Sequence, residues 1–326
     1  MSEEKVKITI IGAGPGGVAA GVEAKVANIE PVTILEKAKT PFSTIETFYH
    51  KGKRVDPVYR KVKVDPIGTL FFDTETKEQF LERMHNIINE YKLDIRTQNE
   101  VQKVISESNV FKVITSTGLT LISPIVIVAI GVFGKPVKPH YPIPKEVKDR
   151  VHFRVSKSPP TGEKILVVGG GDSAAEVACF LADRENDVTL SYRRDKFFRM
   201  NDVNLKAVYD RVDANKLKLK MPSDIIELRP HEDGVEVVFK DNGPEVFDSI
   251  YYCLGGITPQ GFLEDIGVEL DGKKPKVDKY GETNIERLFL VGDIKEGKGS
   301  IMAAFNSAKI AIDRIKEKYK ELVYEN

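Results

Sequence analysis

Three glycines and a glutamate near the start of the chain carry the first chemical signal. Gly12, Gly14 and Gly17 stand in the run Gly12-Ala13-Gly14-Pro15-Gly16-Gly17, and Glu36 closes the next apolar run, Val32-Thr33-Ile34-Leu35. At the first position glycine makes a tight turn, and at the second it lets the backbone approach a pyrophosphate. At the third it lets a helix pack closely on the strand, with its N-terminus facing the phosphates. A carboxylate about 20 residues further on hydrogen-bonds ribose hydroxyls. A glycine-rich turn without a ligand has no need of the terminal acid. The set therefore points to a dinucleotide held by Gly12, Gly14, Pro15, Gly16, Gly17, Glu36 and its neighbour Lys37.

The theme returns later with one change. Ile165 to Val168 reads as a strand and leads into Gly169-Gly170-Gly171-Asp172-Ser173-Ala174-Ala175-Glu176. The following strand, Val188 to Tyr192, ends in Arg193-Arg194 in place of an acid, and Arg199 comes shortly after. Paired guanidiniums suit a 2′-phosphate through bidentate, charge-assisted bonds, whereas an acid accepts from a free 2′-hydroxyl. This second site is expected to prefer NADPH to NADH. Gly169, Gly170, Gly171, Asp172 and Ser173 would receive its pyrophosphate, and Arg193, Arg194 and Arg199 its 2′-phosphate.

Three further stretches suit a ligand. The apolar run Ile125 to Gly131 ends in the small residues Ala129 and Gly131, which let a ligand approach the backbone. Leu288 to Asp293 is a strand closing on Gly292-Asp293, where a carboxylate can meet a ribityl or ribose hydroxyl. A closing helix from about Ser300 to Tyr319 would aim its N-terminal partial charge, near Ser300, Ile301 and Met302, at an electron-rich ring.

The elements that must position these residues are legible as patterns. The first site needs strand Val6–Ile11, an alanine-rich helix and strand Val32–Leu35. Pro41-Phe42-Ser43-Thr44 reads as a loop close to the cofactor, within an irregular stretch from Lys37 to Arg60. Lys51-Gly52-Lys53-Arg54 is either a solvated loop or a docking surface for an acidic partner. Helical spacing runs from Thr76 to Tyr91, with Phe80, Met84, Ile87 and Ile88 on one face. Four short strands follow between Asp94 and Ile122, and a proline-rich linker spans Gly134 to Pro144. A helix is expected over Asn204–Ala214, and strands over Leu217–Lys240 with a turn at Asp233-Gly234. Ile250 to Gly256 returns the chain to the first domain.

A chain of 326 residues is long enough for two domains with substantial cores. Its 49 basic and 49 acidic residues cancel and are interspersed, which argues against nucleic acid or a membrane surface as the main partner. No apolar run reaches membrane-spanning length, and the start carries no secretory pattern. Only Cys179 and Cys253 are present, without a Cys-x-x-Cys, which fits a reducing cytoplasm and gives no disulfide framework or metal site. Two dinucleotide units in this length leave little room for a separate substrate domain. The economical reading is two cofactors facing each other, FAD held in the acidic first site and NADPH exchanging at the second, with hydride passing between them.

Three motifs in this order, Gly-Ala-Gly-Pro-Gly-Gly, then Gly-Gly-Gly-Asp-Ser-Ala-x-Glu with downstream arginines, then Val-Gly-Asp, resemble the low-molecular-weight thioredoxin-reductase-type flavoproteins over nearly the whole chain. The resemblance implies an α/β fold of two Rossmann-like domains, the FAD domain (1–134 and 257–326) split around an NADPH domain (135–256), and a homodimer. It also implies that the backbone at Val101 lies against the adenine and that no side chain performs acid–base catalysis. Hinges would fall at Pro136 and Gly255-Gly256. One departure decides the expected activity. Where thioredoxin reductases carry a redox Cys-x-x-Cys, this chain has Arg150-Val151-His152-Phe153-Arg154-Val155-Ser156. Dithiol exchange needs one thiol to attack and a second to resolve. Electrons are then expected to leave the flavin for ferredoxin, flavodoxin or a quinone. The run Phe48 to Asp56 resembles the flavodoxin/quinone reductase subgroup. A thiol-disulfide reductase acting on an external thiol carrier is the alternative. The related bacillithiol disulfide reductases carry a cysteine where Gly16 stands here.

Overall fold

Two parallel sheets, one in each of two units, grow from runs of β-branched and leucine residues that are apolar on both faces. Such runs suit strands covered by helices above and below. The computed structural model describes residues 2–59, 62–132, 135–156, 158–257, 260–272, 274–296 and 300–324. One unit comprises Met1–Glu46, Arg54–Lys135 and Ile257–Asn326; the other comprises Pro136–Gly256 together with Thr47–Lys53. The expected domain break at Gly134, like Arg60 at the end of the expected irregular stretch, lies outside the described residues.

In the first unit the strands run in the order Leu288–Leu290, Ile125–Val128, Ile8–Ile11, Val32–Leu35 and Asp94–Arg96, all parallel. Every residue of Ile8–Ile11, Val32–Leu35 and Ile125–Val128 is buried. Ile11 stands opposite both Val128 and Leu35. The residues that follow these three strands, Gly12, Glu36 and Ala129, therefore emerge in one row at the carboxyl edge, where open α/β sheets bind ligands. Helices Pro15–Val26 and Ile301–Lys318 pack side by side. Helix Lys77–Glu90 starts at a capping box between Thr76 and Gln79 and buries Phe80 and Met84.

Two local expectations change. Of the expected strand Val6–Ile11 only Ile8–Ile11 enters the main sheet, and an additional strand before it, Ser2–Lys5, pairs in parallel with Leu119–Ser123 in a separate four-stranded sheet. The segment read as a loop around Pro41 turns into a short helix, Ser43–Phe48. Phe42 precedes it, 1% exposed, and donates its amide to Ala13 O at 2.9 Å. The expected long helix near the end of the chain runs Ile301–Lys318 with Ser300 as its cap, and a short helix, Lys320–Tyr324, follows it.

The second unit repeats the plan. Its parallel sheet has the order Val151–His152, Ser249–Tyr252, Lys164–Val168, Asp187–Ser191, Leu217–Lys220. An antiparallel sheet of Ile225–His231, Gly234–Phe239 and Glu245–Phe247 shares one apolar cluster with the parallel sheet, Val235, Val237 and Phe247 lying in it with Val151, Leu166 and Ile250. At the two ends of the Pro136–Gly256 segment, Val137 donates its amide to Gly255 O at 2.8 Å. Within this unit Lys51 of the basic run is exposed, while Lys53 is half-buried and pairs with Glu176. Arg54, which belongs to the other unit, pairs with Asp56 at 2.8 Å. Among the described residues, no helix is long and apolar enough to cross a membrane.

Candidate functional site

The first glycine turn is held from three sides. A Cβ on Gly17 would lie 1.8 Å from Gly12 O, and one on Gly12 would lie 2.6 Å from Ala129 O. Ala129 in turn donates its amide to Ile11 O at 2.8 Å. Gly14 is different: a Cβ there would meet nothing within 4 Å. Space is left at the one glycine that faces the start of the helix, while its neighbours are glycine because protein fills their surroundings. Pro15 opens the helix, where its missing N–H is no loss. The amides of Gly14, Gly16 and Gly17 find no acceptor among the described residues, and no side chain caps this helix. Open space bounded by donor amides and a positive helix end fits a pyrophosphate.

Glu36 is 7% exposed and does structural work as well. One carboxylate oxygen accepts from Ala13 N at 2.8 Å and the other from Ala38 N at 2.8 Å, so it ties the glycine turn to the neighbouring strand end. Each oxygen keeps a second lone pair for a hydroxyl. Lys37 beside it is exposed. Asn99 donates its amide to Glu36 O at 2.9 Å, which brings strand Val101–Glu107 and its first residue Val101 close to the acid. On the other side, a Cβ on Gly16 would lie 3.3 Å from Gly292 Cα. Gly292 donates its amide to Ser307 Oγ at 2.7 Å, and Asp293 starts the next short helix. Ser300, 6% exposed, caps the last helix by accepting from Ala303 N at 3.2 Å; Ile301 is its first residue. Gly131, at φ +62°, has open space around it. Gly12, Gly14, Gly16, Gly17, Glu36, Ala129, Gly292 and the row of strand ends therefore converge.

In the second unit Gly169 donates its amide to Ser191 O at 3.0 Å, and Gly171 precedes helix Asp172–Ala182. Ser173 is exposed, and its amide finds no acceptor among the described residues. Gly170 has no room for a side chain because the Tyr192 ring lies over it. The Asp172 side chain reaches the far end of the arginine loop, accepting from Asn201 N at 2.8 Å and Asn204 Nδ2 at 3.0 Å.

Arg193, Arg194 and Arg199 are exposed, and none forms an ion pair among the described residues; Arg194 lies 5.5 Å over the Phe198 ring. Elsewhere Arg83, Arg96, Arg211 and Arg229 all hold carboxylates. Gly171 and Arg199 form an isolated parallel bridge, so one arginine lies along the glycine turn. Three uncompensated guanidiniums on one loop leave it strongly positive.

The cysteines lie in the same unit. Cys179 is buried in the helix-side core, and Cys253 follows strand Ser249–Tyr252; both are free thiols. Burial pushes the Cys253 thiol up to about 12, so it is protonated at neutral pH.

The sequence profile of the pyridine nucleotide-disulphide oxidoreductases matches residues 9–292, from the first strand to Gly292. The chain belongs to that family. It is a flavoprotein oxidoreductase that uses FAD and NADP(H). Among curated members it is 28% identical over 314 residues to a ferredoxin–NADP reductase of Ignicoccus hospitalis, covering 93% of this chain and 94% of that one. Among solved structures it is similar to bacillithiol disulfide reductase from Staphylococcus aureus, with a TM-score of 0.82 at 20% identity, covering 97% and 99% of the two chains. It is also similar to T. acidophilum thioredoxin reductase, with a TM-score of 0.80 at 20% identity over 97% and 99%. At that identity these two establish the thioredoxin-reductase-type fold of two dinucleotide-binding domains and nothing of the substrate. For this pyridine nucleotide-disulphide oxidoreductase, sequence reading missed Asn201 and Asn204 as partners of Asp172, and the Lys53–Glu176 pair. Asn201-Asp202 is a helix-start signal that could have placed the first of these.

Proposed function

We propose that this protein passes electrons from NADPH through FAD to an external carrier, ferredoxin in the first instance, without a cysteine pair. The observation that carries the NADPH half is the loop on which Arg193, Arg194 and Arg199 stand without carboxylate partners among the described residues. A 2′-phosphate is the ligand whose charge and oxygens match them. Support for ferredoxin as the carrier comes from the names of curated relatives, ferredoxin–NADP reductases that match 93% and 95% of this chain. Flavodoxin and quinones are the other acceptors of this chemistry.

In this reading Gly14, Gly16 and Gly17 hold the FAD pyrophosphate on their amides, and Glu36 accepts from the adenosine ribose beside the backbone of Val101. Ala129 and Gly131 leave room for the cofactor along the strand edge, and Asp293 meets the ribityl chain. The helix start at Ser300 and Ile301 places positive potential beside the flavin ring, where reduction adds charge. Gly169 to Gly171 and Ser173 receive the NADPH pyrophosphate. Bound FAD supplies the redox chemistry, taking hydride from the nicotinamide and releasing electrons outward. With Cys179 in the core and the Cys253 thiol protonated, neither offers a thiolate for disulfide exchange.

The test is anaerobic stopped-flow oxidation of the NADPH-reduced protein by ferredoxin, flavodoxin, a quinone and thioredoxin in turn. Rapid reoxidation by ferredoxin is expected, and thioredoxin should be inert. Reoxidation by thioredoxin alone would establish the thiol-disulfide alternative instead.

A further inference from the structure

The arginine loop runs from Tyr192 to Asn201 and is fastened at both ends. At its start Tyr192 donates its amide to Lys220 O at 3.1 Å and accepts from Ser223 N at 2.9 Å. Its ring stacks on Phe197, with centroids 5.6 Å apart and planes at 14°. Near its end Met200 is 8% exposed in the core, and the backbone amide of Asn201 donates to Asp172 Oδ1 at 2.8 Å. Asn204 Nδ2 donates to the same oxygen at 3.0 Å. Asn201 also caps helix Asp202–Asp213 by accepting from Asn204 N at 2.9 Å. A second carboxylate on the glycine-turn helix, Glu176, lies one turn on from Asp172 and 3.4 Å from Asn204 Nδ2.

We infer that Asp172 is a positioning residue for coenzyme selection. Through Asn201 and Asn204 it fixes the loop that presents Arg193, Arg194 and Arg199, and so preorganises the 2′-phosphate site. This rests on the reading that those arginines take the 2′-phosphate. The response of the two dinucleotides separates this role from a pyrophosphate contact. Both bonds converge on one carboxylate oxygen, which ties the Asp172 side chain to the loop end. A pyrophosphate contact would weaken NADP and NAD alike, because both dinucleotides carry that group. A loop-fixing role weakens only the ligand that uses the loop. An acidic group near a dianionic phosphate has no direct attraction to offer, so its presence is explained by the amides that it holds.

Isothermal titration of the FAD-loaded protein with NADP⁺ and NAD⁺ tests this. Asp172→Ala is expected to weaken NADP⁺ about tenfold, as three long side chains lose their preorganisation, and NAD⁺ less than about twofold. Asp172→Asn should restore both affinities, because an amide carbonyl replaces the one oxygen in use. Asn204→Ala, which attacks the clip from its other side, should shift the NADP⁺/NAD⁺ ratio in the same direction. Equal weakening of both dinucleotides by Asp172→Ala overturns the inference, as does an Asp172→Asn protein no better than Asp172→Ala. If Asp172→Ala does not fold, an unchanged ratio in Asn204→Ala overturns it. The double variant Arg193→Ala with Arg194→Ala is the control. If it leaves the ratio unchanged, the NADP reading itself fails; if it alone collapses the ratio, only the Asp172 role fails.

Discussion

Lys53 Nζ lies 2.5 Å from Glu176 Oε2, and their side chains are only 12% and 22% exposed. The ammonium also sits 3.9 Å above the Tyr49 ring, and the neighbouring His50 ring stacks on Phe180 at 4.3 Å. A short excursion of the chain, Thr47–Lys53, thereby joins the second unit. Glu176 Oε2 is buried, and Lys53 is the countercharge that this oxygen relies on.

Lys53→Met should therefore destabilise the protein by on the order of 3 kcal/mol, because it leaves a buried carboxylate unpaired. Burial alone would lower the Lys53 pKa, but Glu176 and Tyr49 outweigh it and raise it above 10.5. A raised lysine pKa contributes stability that is complete below the unfolded value and is lost as pH rises through the folded one. The gap between wild type and Lys53→Met in urea melts should thus hold from pH 7 to about 10 and close above that. A double variant, Lys53→Met with Glu176→Leu, should recover most of the loss. Equal stability of wild type and Lys53→Met at pH 7 would refute the argument.

Gly14→Ala and Gly17→Ala should fail in opposite ways. An added methyl at Gly14 meets no protein atom, so the apoprotein should melt within about 1 kcal/mol of wild type. FAD binding should nevertheless fall sharply, because the methyl fills the approach to the helix amides. At Gly17 the methyl would collide with Gly12 O, and the apoprotein itself should lose about 3 kcal/mol or more. Flavin fluorescence titration beside apoprotein melts separates the two. Normal FAD affinity in Gly14→Ala would show that the cofactor does not approach there.

Both glycine turns, their strands and the arginine-ended second strand were legible because each is a local pattern of glycine spacing and apolar runs. The Ser2–Lys5 strand was not, because its residues are polar and it sits at the edge of a different sheet. Helix Ser43–Phe48 was hidden behind Pro41, and its signal is too short to stand out. Lys53 read as part of a basic surface because sequence does not show which of many carboxylates a lysine will meet. The partners of the Asp172 side chain were hidden for the same reason, since Asn201 and Asn204 come from a different strand–helix junction.

Replacing both cysteines should leave the chemistry intact. Cys179 packs among Ala175, Ala178 and Ala182, and the Cys253 thiol is held protonated by burial, up to about 12. Cys179→Ser with Cys253→Ser buries two hydroxyls and should cost about 1–3 kcal/mol each in stability. The FAD-loaded double variant should still oxidise NADPH with ferricyanide at within about twofold of the wild-type kcat, since thiolate chemistry is not used. Loss of turnover in a folded, yellow double variant would bring a thiol back into the mechanism.

The far end of the last helix is fixed by Glu282, and acid should release it. Glu282 is 7% exposed and accepts from Arg287 N at 2.9 Å, from Lys318 Nζ at 3.0 Å and from the Tyr319 hydroxyl. Burial pushes its pKa up, but these donors and the Lys318 charge outweigh it and hold the carboxyl below 4.5. A lowered carboxyl pKa contributes stability that is present above the unfolded value and lost as pH falls through the folded one. Glu282→Gln should therefore be about 2 kcal/mol less stable than wild type at pH 7, with the gap closing below about pH 4. Urea melts at pH 7 and pH 3.5 measure both. Because helix Ile301–Lys318 is capped by Ser300 at its other end, a looser C-terminal end should also raise hydrogen exchange along its last turns before FAD is lost. A gap that stays constant with pH would show that the carboxylate charge contributes nothing there.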